Sequence, residues 1–285
     1  MASMRDIKRR KGSIQSTQQI TKAMKLVSTV KLQRAKGRAE SSKPYFDAMY
    51  QTVNSVLSKT TGLDHPYLTG GKSEAVGVIV ITSNRGLAGG YNSNVVKLVK
   101  EAGFNPETTC IYNIGKKGRE GLMRAGYNIS EDYSDVIEAH TYADAMYIGK
   151  QVLSDFAQGK IGSLYLAYTR FKNTVVHEPT LLKLLPVDPS GVETEETDSK
   201  MVMNFEPEEE DALELIVPKY INSLIFGGMT EAVASENGAR MQAMDSATSN
   251  ADDMISKLSL QYNRARQGAI TQELTEIIAG ANALS

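Results

Sequence analysis

The sequence predicts an α/β protein of two parts: a long antiparallel two-helix coiled coil built from the N- and C-terminal segments, and a small Rossmann-like α/β domain between them. Two observations carry this. The chain ends lack glycine and proline over long stretches and repeat apolar or small residues at helical spacing. The middle alternates β-branched runs with amphipathic ones. The expected division is 1–70 for the first coiled-coil helix, 71–207 for the α/β domain and 208–285 for the second helix.

Residues 3–58 read as one long helix, or two joined near Pro44, with Ile7, Ile14, Met24, Val53 and Leu57 on a narrow apolar stripe. The remaining circumference is cationic, so such a helix pairs with one partner and shows its other faces to water or protein. In the middle, 75–82 is an unbroken apolar run of the kind covered on both faces. Further strands are expected at 108–114, 161–171, Val175–Val176 and 180–185, and helices at 94–102, 116–125 and 142–156. Residues 188–211 are acidic, carry Pro189, Gly191 and Pro207, and read as a loop or short hairpin. From 229 to 284 the chain is helical again, and Ala239, Ala243, Ala247, Ala251, Met254, Leu258, Tyr262 and Ala265 step by four or three. Small residues on a stripe let two helix backbones approach closely. At about 1.5 Å per residue each terminal helix would run roughly 80 Å. A domain of this size has a radius of gyration of only ~13 Å, so the helices are expected to project well beyond it.

Composition narrows the function. The net charge of -1 hides an asymmetry: Met1 to Lys43 holds 12 Lys/Arg against 2 Asp/Glu, whereas Asp188 to Glu214 holds 11 Asp/Glu against 1 Lys. The single cysteine, Cys110, excludes an internal disulfide or a Cys-rich zinc site and fits a reducing compartment. No run of about 18 apolar residues could span a membrane, and no apolar signal segment follows the basic first residues.

Candidate chemistry is sparse. Ser83-Asn84-Arg85-Gly86-Leu87-Ala88-Gly89-Gly90-Tyr91-Asn92 is a glycine-rich strand-to-helix loop, but it has neither G-x-G-x-x-G nor a Gly-Lys-Ser/Thr phosphate loop. A tight turn held by its own backbone bonds explains it as well. Ile114-Gly115-Lys116-Lys117-Gly118 reads as a solvated helix start. His65, His140 and His177 have no metal-ligand neighbour at helical spacing, and no nucleophile–base grouping is present, so no cofactor or metal is expected. Glu206, Glu208, Glu209, Glu210 and Asp211 fit a solvated acidic loop better than a calcium site. Cations ring the N-terminal arm with almost no aromatic residue before Tyr45. On residues alone, the arm suits a nucleic-acid backbone as well as acidic protein loops.

The run Ile270-Thr271-Gln272-Glu273-Leu274-Thr275-Glu276-Ile277-Ile278-Ala279-Gly280-Ala281-Asn282 resembles the C-terminal signature of the gamma subunits of F-type ATP synthases. Four further stretches are similar to the same family, in order: 17–27, 65–68, 85–90 and 239–244, and Tyr262-Asn263-Arg264-Ala265-Arg266-Gln267 precedes the signature. The resemblance implies a non-catalytic rotor stalk, one copy per complex. It would turn inside an alpha3-beta3 hexamer and stand, with an epsilon subunit, on a ring of c subunits. It implies beta-subunit contacts at Lys22, Met24, Lys25, Arg240, Arg266, Gln267, Gln272 and Thr275, an apolar bearing at Ile277, Ile278, Ala281 and Leu284, and a c-ring foot at Phe205 and Glu206. Relatives often carry Tyr at the foot, and continue a helix where this chain has Pro218, so a kink is expected there. With Cys110 alone, the chain lacks the paired-cysteine switch of chloroplast relatives. The bacterial plasma membrane, on its cytoplasmic face, is the expected location. The alternatives are a basic coiled-coil nucleic-acid-binding protein and, third, an α/β enzyme using the glycine-rich loop.

Overall fold

The computed structural model describes residues 4–59, 65–187 and 209–283. They form two compact units: residues 4–28 with 241–283, and the described residues between 29 and 240. Two long helices, α1 (Met4–Lys59) and α6 (Glu209–Ala283), contribute to both.

In the larger unit a five-stranded sheet has the order β3-β2-β1-β4-β5. Its strands are β1 (Val76–Ile81), β2 (Thr109–Ile114), β3 (Ile129–Asp132), β4 (Ser163–Phe171) and β5 (His177–Leu185). The first four are parallel, and β5 returns antiparallel to β4. β1 and β2 fit the doubly covered pattern: Val78, Val80 and Ile111 face one side, Ile79, Ile81, Tyr112 and Ile114 the other, and all are buried.

Helices α3 (Tyr91–Glu101) and α4 (Lys116–Arg124) cover the first face through Val95, Val99 and Leu122. Helices α5 (Tyr142–Ala157) and α6 cover the second. α5 begins at a capping box, in which the Thr141 hydroxyl and the Asp144 carboxylate each bond the other residue's backbone N–H. α6 presents Leu213, Val217, Ile221, Ile225, Met229 and Ala232, all fully buried. The two helices cross where Gly149 has no side chain: a Cβ there would lie 1.9 Å from Asn222 Oδ1. An aromatic series, Tyr45–Tyr142–Phe226–His140, ties α1, α5 and α6 together at ring separations of 5.7–6.5 Å. A one-turn helix, α2 (Pro66–Thr69), precedes the sheet.

Three local features go beyond or against the sequence reading. α6 starts at Glu209 and is already helix over the 20 residues before Met229, where the stretch read from its spacing begins, running through Pro218, Gly227 and Gly228. Burial of its apolar stripe outweighs those helix-breaking residues. Val175 and Val176 are not a strand but the exposed turn between β4 and β5, where both amides donate to Asn173 Oδ1. β3 escaped the sequence because it is a four-residue edge strand with one apolar residue, Ile129.

In the smaller unit, α1 and α6 run antiparallel. Gln18 donates to Asp252, the hydroxyls of Thr21 and Thr248 meet at 2.8 Å, and Lys25 Nζ lies 2.5 Å from Asp245. The less exposed residues of α1 in this unit are Met4, Ile7, Lys11, Ile14, Gln18, Thr21, Lys25 and Ser28, in addition to Asp6 and Met24. Those eight alternate steps of three and four, the 3.5-residue period of a coiled-coil seam. On α6 the matching set includes Met244, Thr248, Ala251, Ile255, Leu258, Tyr262 and Ala265. Met254, expected on the stripe, is instead exposed, and Ile255 takes its place.

Candidate functional site

Two regions bring together the residues singled out by the sequence. The first is the carboxyl end of the sheet. In doubly wound sheets the crevice where strand order reverses is where ligands bind, and here that reversal lies between β1 and β4. The chain fills it with its own α6. A Cβ on Gly228 would sit 3.1 Å from Leu166 and 3.4 Å from Ile81, so the helix backbone rests on both strands. Tyr91 Oη donates to Ala232 O at 3.0 Å, Ser235 Oγ to Thr169 O at 3.0 Å, and the Phe171 amide to Glu231 at 3.3 Å.

The glycine-rich loop is likewise bonded to its own chain. The Ser83 amide and hydroxyl donate to Asn92 Oδ1, and the Ser83 hydroxyl is also within 2.7 Å of Arg85 O. The amides at the start of α4, which a phosphate would need, donate elsewhere. Lys116 N goes to Asn84 Oδ1, Lys117 N to Ser83 O and Gly118 N to Thr82 Oγ1, at 2.8–3.0 Å. Gly115 makes this approach feasible: its φ is +107°, and a Cβ would lie 2.2 Å from Thr82 O. Beside it, burial opposes the charge of Asp132, but bonds from Ser134, Asn113 and Arg119 outweigh that and hold its carboxyl below the usual range.

Arg240 belongs to this region. It is 8% exposed, pairs with Glu236 at 2.7 Å, and donates to the carbonyls of Arg85 and Gly86 at 3.4 and 3.3 Å. Burial raises the Glu236 carboxyl above its ordinary value, opposed by the adjacent guanidinium. The sequence reading missed Glu236 as the partner, although an i, i+4 Glu–Arg pair is a readable signal.

The second region is the smaller unit. Lys25 lies on the seam, Met24 is half-buried beside it and Lys22 is exposed. Arg266, Gln267, Gln272 and Thr275 are all exposed on α6. Thr275 Oγ1 donates to Thr271 O, and Gln272 Nε2 to Glu276. Extended at the same register, Met4 falls opposite residue 265 or 266, and every residue from 270 to 282 is exposed. Ile270, Leu274, Ile277 and Ala281 step along this stretch at helical spacing, with Ile278 beside them. On α1, Ile20, Leu26 and Val27 also face solvent, each more than half exposed. Leu284, Phe205 and Glu206 lie outside the described residues. The sequence missed Thr248, Asp245 and Asp252 as seam partners, because polar members of a mixed seam do not register in an apolar periodicity.

No described helix is long and apolar enough to cross a membrane. The profile of the ATP synthase family matches residues 3–284. The ATP synthase gamma chain of Lachnoclostridium phytofermentans is 64% identical over 100% of both chains. A chain of the Tetrahymena thermophila mitochondrial ATP synthase, solved as central stalk and c-ring, aligns at TM-score 0.58 and 25% identity, over 80% of this chain and 99% of that one. A chain of the Euglena gracilis enzyme, solved as an OSCP/F1/c-ring assembly in rotational state 3, aligns at TM-score 0.73 and 22% identity, over 99% and 94%. The chain belongs to the gamma-chain family of the ATP synthases.

Proposed function

We propose that this chain is the central rotor stalk of an F-type ATP synthase. It carries torque between a membrane ring of c subunits and an alpha3-beta3 head, and so couples ion flow to ATP synthesis or hydrolysis. In this reading it is a single-copy, non-catalytic subunit that binds an epsilon subunit and works at the cytoplasmic face of a bacterial plasma membrane.

The observation that supports the reading is the apolar surface that the smaller unit leaves outside its seam. The seam mixes Ile7, Ile14, Met244 and Ile255 with Lys11, Gln18, Thr21, Lys25 and Ser28, while Ile20, Leu26, Val27, Leu274, Ile277 and Ile278 face outward. An isolated helix pair gains nothing from that arrangement. A pair enclosed by other subunits does, because the outward apolar residues then meet a sleeve. Lys22, Met24 and Lys25 on one helix, and Arg266, Gln267, Gln272 and Thr275 on the other, are the proposed catches for beta-subunit loops. Ile277, Ile278, Ala281 and Leu284 form the proposed bearing, and Phe205 with Glu206 the foot. Arg240 enters through the loop carbonyls it holds, since little of its own surface is exposed.

The driving force is sufficient. One charge crossing ~100 mV releases about 2.3 kcal/mol, so a few charges per catalytic step supply on the order of 10 kcal/mol. Each stalk orientation binds one beta conformation better than the others, which makes the coupling a population shift. The relatives lend no support to the nucleic-acid alternative.

Purification of the tagged chain from its host tests the reading. Alpha, beta and epsilon subunits should accompany it and should survive nuclease treatment; partners lost to nuclease would refute it. In the assembled complex, replacing both Arg266 and Gln267 by Ala should lower ATP turnover several-fold with assembly intact. Unchanged turnover would remove those two residues from the catch.

A further inference from the structure

Within the larger unit, a half-open cavity of about 210 Å³ lies between α1, β4, β5 and α6. Met49, Leu166, Leu182 and Leu224 supply its apolar lining, and two tyrosines, Ser223 and the carboxyl-bearing Glu231 its polar groups. One face of α6 runs along it, with Leu224, Gly227 and Glu231 spaced by three and four residues.

The two adjacent glycines in this face have different reasons to exist. Gly228 is needed because its backbone rests on Leu166 and Ile81. Gly227 has no such reason, since a Cβ there would meet nothing within 4 Å. Glycine in a helix interior weakens it relative to alanine. An uncompensated one that lines a cavity keeps space that packing does not use. Glu231 is the second oddity. It accepts a hydrogen bond from the Phe171 amide, Arg170 lies near enough to stabilise its charge, and burial, the largest influence, still raises its carboxyl above the ordinary value. A second donor arriving from the cavity would satisfy it.

We propose that this cavity is a binding site for a compact aromatic molecule carrying one hydrogen-bond donor, of the phenol or aryl-alkylamine class. The volume sets the size, because an apolar cavity of about 150 Å³ already holds benzene. The walls choose a hydrocarbon body, and Glu231 chooses a donor and rejects an anion. Occupancy would brace α6 against β4, the strand on which it rests.

The test uses the full-length chain with methyl-labelled Leu and Met, titrated with phenol, benzylamine, toluene and benzoate. Phenol and benzylamine should shift the methyls of Met49, Leu166, Leu182 and Leu224 with dissociation constants in the roughly millimolar range expected of so few atoms. Toluene should bind several-fold more weakly and benzoate should leave these methyls unmoved. Gly227→Leu, which fills the cavity, should abolish the shifts while melting at or above the parent temperature. Gly227→Ala, a smaller intrusion that keeps the fold if the leucine variant does not, should weaken binding by at least threefold. Glu231→Gln should weaken benzylamine about tenfold. Absence of methyl shifts with every probe, or undiminished binding in Gly227→Ala, would overturn the site. Equal binding of phenol, toluene and benzoate would overturn the donor assignment. None of these readouts depends on assembly into a larger complex, so their failure is distinct from failure of the rotor reading.

Discussion

His140 shows how one residue can couple protonation to packing. It is buried between α5 and α6, with Nδ1 3.3 Å from Ile137 O and Nε2 3.1 Å from Thr230 Oγ1. Thr230 Oγ1 also lies 2.9 Å from Phe226 O. A neutral ring has one N–H: on Nδ1 it bonds Ile137 O, and the Thr230 hydroxyl must then choose between the ring and the Phe226 carbonyl; on Nε2 it donates to Thr230 Oγ1, which keeps its bond to Phe226 O, and the Ile137 carbonyl loses the ring. Burial lowers the ring's pKa below 6.5; Arg38 adds to this, while the Ile137 bond and Asp144 oppose it. A depressed folded pKa means that the unfolded chain takes up the proton first. The stability from neutral His140 is therefore full above about pH 6.5 and is lost as pH falls below it. Glu231 and Glu236, both raised by burial, titrate in the opposite sense, so the comparison must isolate His140. Urea melts of the parent and His140→Gln between pH 7.5 and 5 should converge as pH falls, at no more than about 1.4 kcal/mol per pH unit. Parallel curves would show that the ring does not titrate through folding.

At the scale of elements, the sequence made the buried pieces readable and hid those set by tertiary contacts. β1 announced itself because both its faces are covered, so no alternation was needed. β3 stayed hidden because a lone edge pairing decides it; the first 20 residues of α6 lay inside the expected 208–285 segment, but Pro218 and two glycines kept them from being read as helix by spacing, and a buried stripe overrides those breakers. The candidate surface divides the same way. Arg266, Gln267, Gln272 and Thr275 came from family resemblance, and no spacing rule would single them out. The hydroxyl rung between Thr21 and Thr248 required the paired structure. Such a rung sets register more than strength, because replacing both partners by apolar groups of similar shape is nearly neutral. The double variant Thr21→Val, Thr248→Val should melt, by circular dichroism of the full chain, within about 1 kcal/mol of the parent. A loss beyond ~2 kcal/mol would make the hydroxyls a main source of stability. The Lys25–Asp245 pair is too exposed to contribute much.

For the molecule as a whole, the two units should differ in local stability. The larger one holds a sheet whose central strand is almost wholly buried and is packed on both faces. The smaller one has a narrow seam in which polar residues interrupt the apolar ones. Resistance to local opening follows buried apolar contact. Hydrogen exchange on the free chain should find the amides of β1 and β4 protected at least roughly a hundredfold more than those of 8–25 and 245–262. Comparable protection would mean that the seam is stronger than its composition allows. Assembly into the complex should slow exchange selectively in the smaller unit.

The helix lodged across the carboxyl ends of β1 and β4 has a consequence for access. An architecture that elsewhere houses a nucleotide has given that berth to its own backbone. A nucleotide could enter that crevice only by lifting α6 off Leu166 and Ile81, so the berth stays closed for as long as the helix holds its place.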